Sequence, residues 1–269
     1  MPQAIVPRDL DVDFSKVPRR WMANSSVATA ISNGVNMLFP HGERFFVRSV
    51  KYFLDQIEDP ELRQQIKGFF GQEGRHAHAH DEFNAILRQQ GYEIDQFLDS
   101  YKRLSSWLEA RTPPKLRLAA TAAAEHFTAI MAEGAFTRGA LDQAAPEMQQ
   151  LLAWHAAEEI EHKSVAFDVL QTIDPSYRLR ILGLVYATVT LSGFWLWGTV
   201  TLMRQDKLSW RATRNQLREL RKEDPIIQRV FLRGIREYLR RDFHPSQNDD
   251  AHLASTWFAA RGMALPEAA

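Results

Sequence analysis

Two histidines and three glutamates fall within eight residues of the segment WHAAEEIEHKSV, Trp154 to Val165. His155, Glu159 and His162 are spaced four and three apart. At about 100° per residue on a helix they share one face. Leu151, Leu152, Ala166 and Val169 share or flank that face, so a polar stripe lies inside an apolar one and points toward a core. Glu158 and Glu161 point elsewhere, where solvation or helix salt bridges account for them. A carboxylate buried with two imidazoles is costly unless something compensates. A divalent metal does so, because its ligands are deprotonated carboxylate and neutral imidazole. One isolated Glu-x-x-His would be read as a salt-bridged or hydrogen-bonded core histidine.

The motif is not isolated. The stretch GQEGRHAHAH holds Glu73-x-x-His76, with His80 one turn further along the same face, and Phe69, Phe70, Ala77 and Leu87 line that face as well. With 17 Glu and 9 His in the chain, chance supplies roughly half of one such motif. A dimetal carboxylate site in a helical bundle needs one further Glu from each of two other helices. Glu43 leads the stripe Phe46, Val47, Val50. Glu125 stands alone in the otherwise uncharged run LAATAAAEHFTAIMA. The layouts Glu43…Glu73-x-x-His76 and Glu125…Glu159-x-x-His162 repeat one another. The expected ligands are therefore Glu43, Glu73, His76, Glu125, Glu159 and His162. His80 and His155 are additional candidates, as ligands or as histidines bonded to a ligand. Oxygen and nitrogen donors suit two Fe ions, or Mn or a mixed Mn/Fe pair, ahead of Zn. His126 is rotated about 100° off the Glu125 face and is left out. Asp81 and Asp168 are unsupported as outer partners.

The elements that must position these residues read as helices. SSVATAISNGVNMLF suggests one helix stopped before Pro40, and a second run covers about 41–57. Asp59-Pro60 is an N-cap followed by proline at the first helical position, and Gly91 is the matching stop. A shorter helix is expected at 94–110. Pro113-Pro114 opens a helix rich in small residues, and Pro146 opens one running to Asp174-Pro175. Strand signals are nearly absent. The expected fold is all-α, a four-helix bundle with additional N- and C-terminal helices, divided as an arm (1–24), one helical domain (25–250) and a tail (251–269).

The 269 residues balance 33 Lys+Arg against 33 Asp+Glu, which gives no case for nucleic-acid binding. The absence of cysteine removes disulfides, thiolate metal sites, iron–sulfur clusters and Cys nucleophiles together. No basic-then-apolar leader opens the sequence, so no cleavable signal peptide is expected. Residues 181–203, ILGLVYATVTLSGFWLWGTVTLM, are uncharged and long enough to cross a bilayer. The same stretch also reads as a buried or partner-facing helix. The following segment to Arg241 carries 12 Lys/Arg, which under the positive-inside rule would lie in the cytoplasm. The expected location is the cytoplasm, with attachment to the cytoplasmic membrane through 181–203 left open.

The pieces FPHGERFF, GQEGRHAHAH, EHFTA, WHAAEEIEHKSVAFDVL and FHP together resemble the bacterial family labelled predicted metal-dependent hydrolase, within the ferritin-like di-iron superfamily. The resemblance covers about residues 20–250. A histidine four residues before the last Glu-x-x-His, here His155, also resembles the arrangement in di-iron arylamine N-oxygenases. The ligand set implies a di-iron carboxylate protein, whereas the family label implies hydrolysis.

Three functions compete. An O2-activating oxygenase or oxidase would use two carboxylate-bridged Fe(II) ions on a small, apolar substrate. The small residues Ala119, Ala120, Ala122, Ala123 and Ala124 would then leave room for a pocket near Glu125, or else allow close helix packing. A hydrolase would use a metal-bridging hydroxide, yet no Ser nucleophile or phosphate loop indicates a substrate. The third is non-catalytic, iron storage or ferroxidase work or a membrane-associated scaffold; the basic 204–250 segment disfavours a ferritin, and the lack of cysteine excludes a rubrerythrin-like peroxidase. The oxygenase is the expectation. Its partners would be O2, a lipophilic small molecule and a membrane surface; a homo-oligomer is compatible with it.

Overall fold

Helix-starting prolines and capping side chains set the boundaries of most long elements. The computed structural model describes residues 5–223 and 227–264. The ends of the expected arm and tail (1–4 and 265–269), and residues 224–226 of the basic stretch, lie outside the described residues. Eleven α-helices are found among them: α1 (Ser26–Asn36), α2 (Phe39–Lys51), α3 (Pro60–Gln89), α4 (Asp95–Arg111), α5 (Pro114–Thr137), α6 (Pro146–His162), α7 (Val165–Ile173), α8 (Tyr177–Gln205), α9 (Trp210–Glu223), α10 (Arg233–Tyr238) and α11 (Ala251–Ala259). Ile227–Leu232 winds as a π-helix ahead of α10. No strand occurs among the described residues, only an isolated bridge between Met22 and Ala144. The fold is all-α, as expected.

Asp59 caps α3 by accepting from the Glu61 amide, with Pro60 in the first turn. Gly91 ends the helix at φ +85°, a left-handed conformation that glycine adopts without a Cβ clash. Pro114 and Pro146 likewise occupy the first turns of α5 and α6, which have no side-chain cap. α1 ends at Asn36, before Pro40 as expected, and Pro40 itself helps to start the next helix. It sits in the first turn of α2, where its missing N–H leaves no bond unmade. The single helix expected from Pro146 to Asp174 is divided after His162. The buried Lys163 at the division sends its Nζ to the Asp250 carboxylate and the Asn248 carbonyl.

Four helices form the bundle. α2 packs on α3, α3 on α6, α6 on α5 and α5 on α2, so the ring closes. Each contributes one of the carboxylate faces read from the sequence. α8 lies outside the ring against α5 and α1. A Cβ on Gly183 would fall 2.4 Å from the Ala119 carbonyl carbon, and one on Gly34 2.4 Å from Thr199 Oγ1. Both glycines therefore permit helix contact that a side chain would block. α8 is the one helix among the described residues long and apolar enough to cross a membrane, and 28% of its most apolar window is buried. Its outward stripe, Leu182, Val185, Val189 and Leu196, stays exposed at steps of three, four and seven residues.

Candidate metal centre

The bundle interior gathers a cluster of buried carboxylates and imidazoles. Glu43 comes from α2, Glu73, His76 and His80 from α3, Glu125 from α5, and His155, Glu159 and His162 from α6. All are buried, none more than 4% exposed. Glu159 Oε1 is the hub, 2.9 Å from His155 Nε2, 3.5 Å from His162 Nε2 and 3.8 Å from His76 Nδ1. His162 Nε2 also lies 3.2 Å from both Glu73 Oε1 and Glu125 Oε2. Glu43 Oε1 approaches His155 Nε2 at 3.5 Å. The donor atoms of Glu73, Glu125 and His162 form one compact group, and those of His76, His155 and Glu159 a second. A third joins Glu43 and His80 through His155.

The donor chemistry fits cations. Both oxygens of Glu43, Glu73 and Glu125, Oε2 of Glu159, Nδ1 of His76 and Nε2 of His162 are buried without a hydrogen-bond partner. Unpaired buried polar atoms on this scale are rare in folded proteins unless something else satisfies them. Burial, then the neighbouring carboxylates, push Glu43 and Glu73 well above the usual carboxylate range; burial and Glu159 raise Glu125 to about 7. Burial also works to raise Glu159, but His162 and His155 outweigh it and hold this carboxyl low. Burial drives His76 and His80 toward the neutral form that a ligand requires. The cluster is short of positive charge, and two divalent ions would supply it.

The opposite ring nitrogens fix each imidazole. His162 Nδ1 donates to Gln72 Oε1 at 2.8 Å, which leaves Nε2 facing Glu73 and Glu125. His76 Nε2 donates to Glu158 Oε2 at 3.0 Å, which leaves Nδ1 facing Glu159. His80 Nδ1 donates to Asn36 Oδ1 at 2.5 Å, and its Nε2 accepts from His155 Nδ1 at 2.7 Å. His155 Nε2 is thereby turned to the carboxylates. Both His80 nitrogens are engaged in this arrangement, so His80 orients His155.

Glu158 is the largest departure from the expectation of a solvated or helix-paired side chain. It is fully buried, and burial pushes its carboxyl up to about 8 against the pull of Arg8. The helical wheel does contain the signal. Glu158 and His162 are four residues apart, about 40° on a helix, as are Gln72 and His76. The residue before the Glu of each Glu-x-x-His is thus polar and close to the ligand face. The two are exchanged between helices, Glu158 holding His76 and Gln72 holding His162. Glu161 is mostly buried too: it accepts two hydrogen bonds from the Arg8 guanidinium, at 2.7 and 2.8 Å, and one from Gln72 Nε2 at 2.8 Å. The Arg8 amide donates to Glu158 Oε1 at 3.0 Å. Arg8, in the arm read only as extended, therefore braces both exchanged contacts, with its guanidinium 3.5 Å over the ring of Phe258 in α11.

Other candidates stay outside. His126 meets the Gly234 carbonyl, Asp81 pairs with Arg44, and Asp168 accepts from His244. His244 Nδ1 also contacts Ser246 Oγ at 2.6 Å while accepting from the Ser246 amide, the geometry of a cap on the short turn that follows.

An apolar cavity of about 120 Å³ adjoins the cluster at Glu43, between α2, α4, α5 and α8. Ala120 and Ala124 line it, whereas Ala119 packs against Gly183. The small residues of α5 thus serve both purposes weighed for them.

Residues 6–249 match a family model described as "Predicted metal-dependent hydrolase". Neither a curated protein nor a solved structure matches the chain.

Proposed function

The chain belongs to the predicted metal-dependent hydrolase family, and we propose that within it this protein is a ferritin-like dimetal enzyme, most simply di-iron, that uses O2 to oxidise a small apolar substrate. Glu73, Glu125 and His162 would hold one ion, His76, His155 and Glu159 the other, with Glu43 closing the site beside the cavity. Two such ions, when bound, supply electrons and open positions for O2. The chain's own residues turn the imidazoles through Gln72, Glu158 and His80. They also exclude water by burying every donor.

The observation that carries this reading is the apolar cavity ending on Glu43. A phosphoester is anionic and needs charged or polar side chains to recognise it, and this cavity is walled largely by apolar side chains. Hydrolysis through a metal-bound hydroxide remains the second reading, favoured by the family's description. Loading with Fe(II) without air, then admitting O2, discriminates between them. O2 uptake with a transient visible absorption is expected. If no O2 is consumed, and the Zn-loaded protein turns over an ester or phosphoester set, the hydrolase reading replaces this one.

We further propose that the protein works at a membrane surface on the cytoplasmic side. The exposed apolar stripe of α8 supports this, as does α9, which presents Trp210, Leu217, Arg211, Arg214 and Arg218 to solvent. An amphipathic basic helix with an exposed tryptophan suits an anionic interface.

A further inference from the structure

The cavity beside Glu43 has a definite chemistry. Phe45, Phe46, Tyr101, Tyr186 and Phe194 contribute to its walls. Phe39 also lines it and packs against the rings of both His80 and His155 at 4.6 Å between centroids, so this wall touches the candidate metal cluster directly. Aromatic walls favour an aromatic guest through edge-to-face contact. The size agrees: an apolar cavity of roughly 150 Å³ holds benzene, close to the about 120 Å³ found here.

The polar atoms on the lining are nearly all committed. Tyr101 donates to the Leu38 carbonyl, Ser105 to Tyr101 O and Thr128 to Glu125 O. Thr190 donates to Tyr186 O, the Tyr186 hydroxyl is met by Thr112, and Glu109 is held by Arg48 and Arg117. Apart from the Glu43 carboxylate, His41 Nε2 is the buried polar side-chain atom left without a partner among the described lining residues. His41 stands edge-on to Tyr101, with 5.4 Å between ring centroids, and two residues before Glu43 on α2.

We propose that this cavity is the substrate site and takes a neutral, single-ring aromatic molecule, one hydrogen-bonding substituent of which is held by His41 Nε2. The assignment rests on the reading of the cluster as a dimetal oxidation site, since that places the ring beside the reacting centre. Its test is a binding measurement, independent of turnover.

Calorimetric titration of the Fe(II)-loaded protein under nitrogen would compare benzyl alcohol, toluene and n-hexanol. Benzyl alcohol is expected to bind roughly tenfold more tightly than toluene, the usual effect of one added hydrogen bond, and more tightly than n-hexanol. His41→Leu should bring benzyl alcohol to the level of toluene and leave toluene unchanged. Ala124→Leu should fill the cavity and abolish binding of both. Tighter binding of n-hexanol than of either ring would overturn the aromatic assignment. An undiminished preference for benzyl alcohol in His41→Leu would overturn the role of His41, and full binding to folded Ala124→Leu would overturn the site. Should Ala124→Leu not fold, the parent's ranking of the three ligands and His41→Leu still decide. Expected binding without O2 uptake would remove the oxidation reading alone; O2 uptake without binding would remove this proposal alone.

Discussion

His76 and His162 each need one nitrogen held before the other can face a cation. Glu158 and Gln72 do that holding from opposite helices. Partners that orient ligating histidines typically contribute 10- to 100-fold in metal affinity. Glu158→Ala and Gln72→Ala should each weaken metal binding by about that factor, measured by chelator competition. Exposed Glu82→Ala should match the parent. Unchanged affinity in both buried variants would reduce Glu158 and Gln72 to core polar residues. Loss of a ligand is expected to be harsher: Glu73→Ala and Glu159→Ala should each lose most of a content of about two metal ions per chain, read by elemental analysis. Arg8→Ala removes the brace common to both contacts. Its effect should be smaller than that of Glu158→Ala, because the Arg8 bond to Glu158 made by the backbone amide survives the substitution.

At the scale of elements, α8 separates two kinds of apolar residue that its composition leaves indistinguishable. Leu191 is partly buried against both halves of the core and lines the cavity, whereas Val189, two residues earlier, is 66% exposed. Leu191→Arg should lower the melting temperature markedly, since a charge placed among packed side chains has no partner. Val189→Arg should leave the melting temperature within a degree or two of the parent. It should also reduce co-sedimentation with zwitterionic vesicles, to which the added positive charge gives no attraction. Vesicle binding unaffected by Val189→Arg would remove the stripe from the proposed interface. Gly183→Val tests the packing of α8 on α5. With no room beside Ala119, overpacking on the order of 1–3 kcal/mol is expected by thermal or denaturant unfolding.

For the whole molecule, the candidate centre ties the bundle together, because its donors come from α2, α3, α5 and α6. In the metal-free protein burial, and then repulsion from neighbouring carboxylates, raise the pKa of Glu43, Glu73 and Glu125. A cation that binds only the folded chain stabilises it by mass action. Stripping the metal with EDTA should lower the melting temperature by about 5–10 °C, and excess Fe(II) or Mn(II) should restore it. An identical melting curve with and without EDTA, at verified metal occupancy, would contradict a centre spanning four helices.

What the sequence determined by itself is what helical periodicity carries. Glu73 with His76, and Glu159 with His162, fall on one face whatever packs against them, because about 100° per residue is a local property of the backbone. Glu125 could be singled out in the same way, as a charge in a run with no solvent face, and Pro60, Pro114 and Pro146 placed the starts of α3, α5 and α6. Tertiary structure alone decided which helix supplies each imidazole with its orienting partner. The exchange of Glu158 and Gln72 joins residues 82 and 90 apart in the chain, and Arg8 reaches Glu161 across 153. Nothing in local spacing encodes those distances. The same holds for the alanines of α5: lining a cavity and packing against a glycine both require small side chains. Only the approach of α8 to one side of α5 assigns Ala119 to close packing and Ala124 to the cavity wall.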